Sequence, residues 1–148
     1  MKSLFDDATR AALVARLDRL TADTPARWGK FTAPKMVAHL NQSARMAMGS
    51  LAVAPRRSFL TNAFMRWLII YVAPFPKSAP TAPELLSAGH NAEFDAERAE
   101  FHELLRKLLA RRYEEAWPPH PAFGPMTGKD WGVLGHKHID HHLRQFGV

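Results

Sequence analysis

Four of the eight histidines in this chain lie within the seven residues 136–142. If this stretch is a helix, a turn of about 100° per residue places His138 and His142 about 40° apart on one face. Two imidazoles at this spacing can give one metal ion two nitrogen ligands without bending the helix. The spacing therefore predicts part of a metal site in this helix.

The remaining ligand of such a site must come from another element, because zinc-type ions usually take at least three ligands from the protein. The best candidate is His39, which lies at the edge of an apolar stripe formed by Met36, Leu40 and Ala47. The alternative is that the histidines of residues 136–142 only hydrogen-bond to one another or to solvent. The residues alone leave both interpretations open.

Two polar neighbours of the histidine pair are candidates for a direct part in the chemistry. His141 is expected on the solvent side of the pair, and an imidazole with an ordinary pKa near about 6.5 can carry a proton. Gln145 continues the stripe of His138 and His142 and could hydrogen-bond to a substrate or to a metal-bound water. The alternatives are that His141 is a surface or supporting residue and that Gln145 caps the helix end.

The amino-acid composition limits the kinds of protein and of metal site that this chain can form. With 148 residues, 47% of them hydrophobic and 23% charged, the chain is expected to form one soluble domain, 1–148. It contains no cysteine, so disulfides and thiolate ligands are excluded and a metal site must use nitrogen and oxygen donors. The lack of cysteine fits a cytoplasmic location, and the first residues do not resemble a secretory signal.

Membrane and nucleic-acid partners are not expected. The longest uncharged apolar run, residues 67–76, has about half of the ~20 residues needed to span a bilayer. The net charge of +6 could attract phosphates, but the basic residues form no strip interleaved with aromatic side chains. The chain also contains neither a phosphate-binding glycine loop nor the Gly-x-Ser-x-Gly motif of a serine nucleophile.

Apolar residues at helical spacing predict four main helices. The first covers residues 7–20, and the second covers 33–49 with Thr32 as its N-cap. The third begins at about Glu84 or Asn91 and ends at Tyr113. The fourth is capped by Thr127 and stops at Gly147. His39 then lies in the second helix and the histidine pair in the fourth.

Between the second and third helices lies a long connection. Residues 59–72 contain so many large apolar side chains that a packed helix is predicted there, with a short strand at 69–72 as the alternative. Four prolines between 74 and 83 then prevent regular structure. The predicted fold is all-α, a four-helix bundle with one long proline-rich crossover between the second and third helices.

A second proline-rich segment, residues 117–125, precedes the last helix. It contains His120 between prolines, and the prolines fix the path of the chain. This segment either folds across the mouth of the bundle, which would bring His120 to the site, or serves to seat Phe123 in the core. The sequence does not decide between these two roles.

Several short stretches, in chain order, are Trp28-Gly-Lys followed by Met36-Val-Ala-His39, Pro74-Phe-Pro-Lys77, His120-Pro-Ala-Phe-Gly124, and Trp131 followed by His138-Ile-Asp-His-His-Leu-Arg-Gln145. Together they resemble the DinB-like, or YfiT-like, superfamily of metal-dependent proteins, and within it a branch of unknown function. The resemblance covers most of the chain, and its last stretch is the most specific.

This resemblance implies a four-helix bundle that binds a divalent metal ion through His39, His138 and His142. Zinc and nickel are the first candidates for that ion. Superfamily members of known activity are largely thiol transferases that use low-molecular-weight thiols. The expected function is therefore a metal-dependent enzyme acting on a small molecule, by thiol transfer or by metal-assisted hydrolysis. The alternative is a non-catalytic helical binding module that keeps the metal for stability. The protein is expected to act either as a monomer or as a homodimer.

Overall fold

The computed structural model describes residues 1–56, 59–77, 81–86 and 93–148. Within these ranges the chain forms five α-helices and no β-strand, which confirms the all-α prediction. None of the helices is long and apolar enough to cross a membrane. The helices are α1 (Asp7–Leu17), α2 (Ala33–Ala47), α3 (Ala63–Trp67), α4 (Phe94–Ala110) and α5 (Gly128–Gln145).

The two helices that carry the candidate ligands begin at the predicted threonine caps. The Thr32 hydroxyl accepts a hydrogen bond from the backbone N–H of Lys35 at the start of α2. Thr127 and Asp130 form a reciprocal capping box at the start of α5. Both arrangements provide acceptors for N–H groups that have no partner within the helix. The starts of α2 and α5 are therefore determined by their own sequence.

Three helix ends differ from the prediction. The first helix ends at Leu17 rather than 20, the second at Ala47 rather than 49, and the third at Ala110 rather than 113. Leu20 remains fully buried although it lies beyond α1. Apolar spacing reports burial and not backbone hydrogen bonding, so it extends a predicted helix into the turn that follows.

The start of α4 also differs, since the helix begins at Phe94 and not at Glu84. Pro83–Leu85 instead forms a separate 3₁₀ turn. The alternative start at Asn91 lies outside the described residues.

The apolar segment 59–72 is not one continuous α-helix. It consists of a 3₁₀ turn (Phe59–Thr61), the short α3, and one turn of π-helix (Leu68–Val72), so the alternative of a strand at 69–72 is wrong. Ile70 is fully buried, but more than half of the Trp67 side chain is exposed. The segment therefore packs along one edge, and its apolar character does not mean complete burial.

The core lies where the four longer helices meet. α2 packs along α4, α1 packs against α5, and the π turn also contacts α5. α2 touches α5 as well, and this contact brings the candidate ligands of the two helices together. The largest fully buried apolar side chains are Leu17, Leu20, Met36, Ile70, Leu143 and Val37.

A partly buried charge ties α5 to the π turn. The Lys137 ammonium donates hydrogen bonds to the backbone oxygens of Ile69 (2.6 Å), Ile70 (3.1 Å) and Ala73. Carbonyls at a helix end lack partners within the helix, and an ammonium has three donors to offer them. Burial lowers the pKa of Lys137. This contact fixes the position of α5 one residue before His138.

We expect Lys137→Met to destabilise the protein by about 1–3 kcal/mol, because the carbonyls at the end of the π turn lose a charged donor. Thermal unfolding followed by circular dichroism should show a lower Tm, by several degrees for a chain of this size. Lys129→Met, which removes an exposed lysine of the same helix, is the control and should change stability by less than about 0.5 kcal/mol. Equal Tm values for the two variants would contradict this account.

Candidate metal centre

Three imidazoles from two helices meet at the contact of α2 and α5. The Nε2 atom of His138 is 3.0 Å from Nε2 of His39 and 3.1 Å from Nε2 of His142. The three potential ligand atoms all lie within 4.8 Å of one another, and among the described residues no carboxylate joins them. The structure thus brings together the three histidines singled out from the sequence, in a cluster that could hold a metal ion.

His39 is oriented by a backbone carbonyl from the 3₁₀ turn at 83–85. Its Nδ1 atom lies 3.2 Å from the oxygen of Leu85. A carbonyl can only accept, so Nδ1 carries the ring proton and Nε2 has a free lone pair. The Phe31 ring stacks on the His39 ring, with the ring centroids 5.3 Å apart. His39 therefore presents an unprotonated nitrogen toward His138.

His142 is oriented through Gln145. The Gln145 Nε2 donates to the backbone oxygen of Trp28 at 2.8 Å, which turns its Oε1 toward His142. His142 Nδ1 donates to that Oε1 at 2.8 Å, so its Nε2 also has a free lone pair.

Close approach of Gly29 to Gln145 makes this arrangement possible. A Cβ at position 29 would lie 2.4 Å from the Gln145 Nε2, and the backbone at Gly29 has φ +80°. Both conditions favour glycine.

Protons alone cannot provide a hydrogen bond for both of the Nε2–Nε2 contacts that His138 makes. A neutral His138 has one ring N–H, and it can donate to the lone pair of His39 or of His142 but not to both at once. One Nε2 pair therefore stays in contact without a hydrogen bond, in a place largely removed from water. A cation that accepts all three lone pairs resolves this conflict, and carbonyl or amide partners on the outer ring nitrogens are typical of metal-ligating histidines. The donor set fits a divalent ion such as zinc or nickel.

Burial keeps the three rings neutral. Desolvation lowers the pKa of His39 to about 4, and desolvation together with the nearby His39 lowers the pKa of His142 to about 3. Desolvation first, and then the unfavourable interaction that two protonated rings would have with each other at His138 and His142, hold the pKa of His138 well below its usual value. At neutral pH all three lone pairs are available without release of a proton.

The chain matches a known protein family over nearly its whole length. The family described as "Protein of unknown function (DUF1569)" matches residues 2–147. The chain belongs to the DUF1569 family. No curated protein and no solved structure matches it. The expected membership of an uncharacterised family is confirmed, and the description of DUF1569 assigns no activity to the histidine cluster.

The two residues proposed from the sequence to act directly in chemistry lie in different surroundings in this DUF1569 chain. Gln145 is 4% exposed, and its amide bonds to His142 and to the Trp28 carbonyl. His141 is half-buried, and its ring centroid is 5.3 Å from that of His142 and 6.0 Å from that of Phe75. Gln145 thus supports a candidate ligand. A direct role in catalysis stays a prediction for both residues.

His120 takes part in the packing of its own loop. Its Nδ1 accepts hydrogen bonds from the backbone N–H groups of Ala122 and Phe123, at 3.1 and 3.3 Å. Its ring lies against those of Phe123 and Trp131, and Phe123 is buried. These contacts favour the second of the two roles considered for this loop, that of seating Phe123 in the core.

Three groups that shape the centre were not singled out from the sequence. The Leu85 carbonyl orients His39, Phe31 covers two of the rings, and Phe75 lies 6.1 Å from His138 between ring centroids. A backbone carbonyl carries no residue-type signal, so no pattern could have indicated Leu85. Phe75 does lie in the proline-flanked stretch 74–77, where an aromatic residue between two prolines was a usable signal.

Replacement of Gln145 tests the support of His142. In Gln145→Leu the His142 Nδ1 loses its acceptor, so we expect affinity for Zn²⁺ to fall about 10–100-fold, measured by competition with a chromophoric chelator. Gln145→Glu keeps an oxygen acceptor for Nδ1 and should retain more of the affinity than the leucine variant. Equal zinc affinity in Gln145→Leu and the wild type, with both proteins folded by circular dichroism, would contradict the proposed support.

His120 allows a test of pH-dependent stability away from the candidate ligands. Burial lowers its pKa in the folded protein to about 4, against about 6.5 in an unfolded chain. The unfolded chain therefore binds more protons between these values, and stability present above pH 6.5 is lost as the pH falls toward 4. His120→Asn, whose side-chain oxygen can still accept from the backbone, should lose a few degrees less Tm over this interval. Parallel Tm curves would refute the assignment.

Proposed function

We propose that this protein is a divalent-metal-dependent enzyme that holds its ion through His39, His138 and His142. The observation that carries the proposal is the meeting of three Nε2 atoms, two of which have their lone pairs exposed by hydrogen bonds on the opposite ring nitrogen. A cluster of histidines that served only hydrogen bonding would leave one of these contacts without a proton. Metal binding satisfies all three nitrogens together.

Three protein ligands support a catalytic centre over a purely structural one. Structural zinc sites normally have four protein ligands, whereas catalytic sites have three and keep one position for water or substrate. The described residues supply three histidines, and His138 is only half-buried whereas His39 and His142 are buried. We propose that a small molecule approaches the cluster on the His138 side, where the side chain is less buried than those of His39 and His142.

The proposed chemistry is transfer of a low-molecular-weight thiol to a small electrophile, or hydrolysis of a small molecule. A bound divalent ion supplies Lewis-acid activation of a water or thiol at neutral pH. Leu85 and Gln145 keep the rings of His39 and His142 in orientation. We propose that His141, whose ring lies beside His142, carries the proton released when the nucleophile is formed.

We also propose that this DUF1569 chain is a DinB-like, single-domain four-helix bundle. The support is the order of elements, with one histidine in α2 and the pair in α5, and four long helices α1, α2, α4 and α5. Prolines in the chain between α2 and α4 fit a crossover. The same proposal includes a cytoplasmic location and a small-molecule partner rather than nucleic acid or a membrane. It leaves a homodimer open.

The alternative is a non-catalytic module in which the metal stabilises the fold and a partner binds elsewhere. One observation favours it, namely that the cluster joins residues 99 positions apart in the sequence. An ion there would act as a cross-link between α2 and α5. The two functions differ in how strongly stability depends on the metal.

His138→Ala separates the two functions. For an enzyme, we expect elemental analysis to show loss of the metal, while Tm stays within a few degrees of the metal-loaded wild type because the helical core is independent of the ion. The metal-loaded wild type should also transfer a small thiol, such as cysteine or glutathione, to a chloro-dinitro aromatic acceptor or an epoxide. The variant should not.

His102→Ala, at a partly exposed histidine of α4, is the matched control and should keep both metal and activity. Wild-type metal content in His138→Ala would overturn the metal site itself. A metal-loaded wild type with no more activity than His138→Ala, and with a Tm far above that of the metal-free wild type, would instead favour the non-catalytic module.

A further inference from the structure

A cleft of about 390 Å³ lies along α5, and His141 and Phe75 separate it from the three candidate ligands. One wall comes from the outer face of α5, and the other from the end of the π turn and the residues that follow it. Its volume lies in the lower part of the range of small-molecule sites, about 300–1,000 Å³. The lining residues used below are Trp28, Phe75, Lys77, Asp140, His141 and Arg144.

Two side chains of the cleft also contact the candidate ligands. The ring centroid of His141 is 5.3 Å from that of His142, and the ring centroid of Phe75 is 6.1 Å from that of His138. A molecule held in the cleft therefore lies against the same residues that border the cluster. This position suits the substrate of the proposed enzyme.

Lys77 is the cation of the cleft that is available to a ligand. Its ammonium lies 4.9 Å from the centroid of the Trp28 ring, and no ion pair connects it to any carboxylate of the described residues. The two other basic chains are engaged, since Arg144 pairs with Asp140 at 2.6 Å and Lys137 binds backbone carbonyls. Lys77 thus carries a positive charge at the cleft wall that no carboxylate of the described residues neutralises.

A second unused donor belongs to the same aromatic ring. The indole Nε1 of Trp28 is buried and has no hydrogen-bond partner among the described residues. A buried N–H without an acceptor costs free energy, so a ligand oxygen that reached it would be favoured. Trp28 therefore combines an apolar ring face, an unpaired N–H donor and a neighbouring ammonium.

The distribution of charged residues around the cleft favours a negatively charged ligand. Residues 24–83 contain eight lysines and arginines and no aspartate or glutamate, and this stretch supplies Trp28, Phe75 and Lys77. The carboxylate in the cleft wall, Asp140, is held between Arg16 and Arg144, each at 2.6 Å. The cleft lining itself holds three basic side chains, Lys77, Lys137 and Arg144, against this one carboxylate, so the local field favours an anion over a cation.

We propose that this cleft binds a small anion, a carboxylate or a phosphate monoester, with its charge at Lys77; a turn of the indole toward the cleft on binding would add the buried Trp28 Nε1 as a second donor. The apolar part of the molecule packs against the rings of Trp28 and Phe75, and its reacting end points toward the histidine cluster. The inference rests on the proposed function, because it names the substrate class of that same site as small anions rather than neutral molecules or cations.

Titration calorimetry on the full-length protein, with and without Zn²⁺, tests the proposal with three probes: benzoate, phenyl phosphate and neutral benzamide. Lys77→Met removes the ammonium and keeps most of the side-chain length. Lys107→Met, on an exposed position of α4, removes the same net charge elsewhere and is the matched control. The preference between benzoate and phenyl phosphate identifies the anionic group.

We expect the better anion to bind the wild type and Lys107→Met equally and to bind Lys77→Met about 10-fold more weakly, as for loss of one charge-assisted contact. Benzamide should bind all three proteins weakly and alike. Trp28→Phe keeps an aromatic face but no N–H, and should weaken anion binding while leaving benzamide unchanged. Equal anion affinity in Lys77→Met and Lys107→Met, or benzamide binding as tight as that of the anions, would overturn the proposal.

Titrations of the metal-free and of the zinc-loaded protein distinguish a failure of this inference from a failure of the proposed function. Lys77-dependent anion binding in a protein that takes up no zinc would support the cleft and count against the metalloenzyme. Zinc uptake without any anion preference would overturn the cleft alone.

Discussion

The Nε2 atom of His138 lies about 3 Å from the Nε2 atoms of both His39 and His142, and this close approach is the constraint on which the rest of the structure depends. A proton can bridge only one of these two contacts, so the cluster has the lone pairs to hold a metal ion. The contact of α2 with α5 brings the rings together, the capping box starts α5, and Lys137 attaches α5 to the π turn.

Helices carry the candidate ligands, but irregular segments determine how those ligands are oriented. A carbonyl of the 3₁₀ turn at 83–85 sets the tautomer of His39, and the Trp28 carbonyl, acting through Gln145, sets that of His142. Because hydrogen bonds on the outer ring nitrogen raise the basicity of the inner one, these two loops adjust the electronic properties of the centre. They also bring Trp28 and the 74–77 stretch to the neighbouring cleft.

The sequence predicted the parts of this arrangement that local rules govern. Helical spacing placed His138 and His142 on one face, threonine caps marked the starts of α2 and α5, and apolar residues at helical spacing indicated an all-α chain. Patterns could not separate burial from helicity, so the end of α1 was placed beyond Leu17. The bond from His142 to Gln145 and the orienting carbonyl of Leu85 depend on tertiary contacts that residue types do not encode. The acid-free stretch 24–83 was visible in the sequence, but only the fold shows which of its residues face a cleft.

The separation of 99 residues between His39 and His138 has a consequence for how the protein matures. A binding pocket made from such distant positions does not exist in a partly folded chain, so ion uptake reports that α2 and α5 have already docked. Closing a loop of about 100 residues with a covalent cross-link removes about 4–5 kcal/mol of chain entropy from the unfolded state. An ion bound by these three histidines would act as a reversible cross-link between the same two helices, and its release would return that entropy to the unfolded chain.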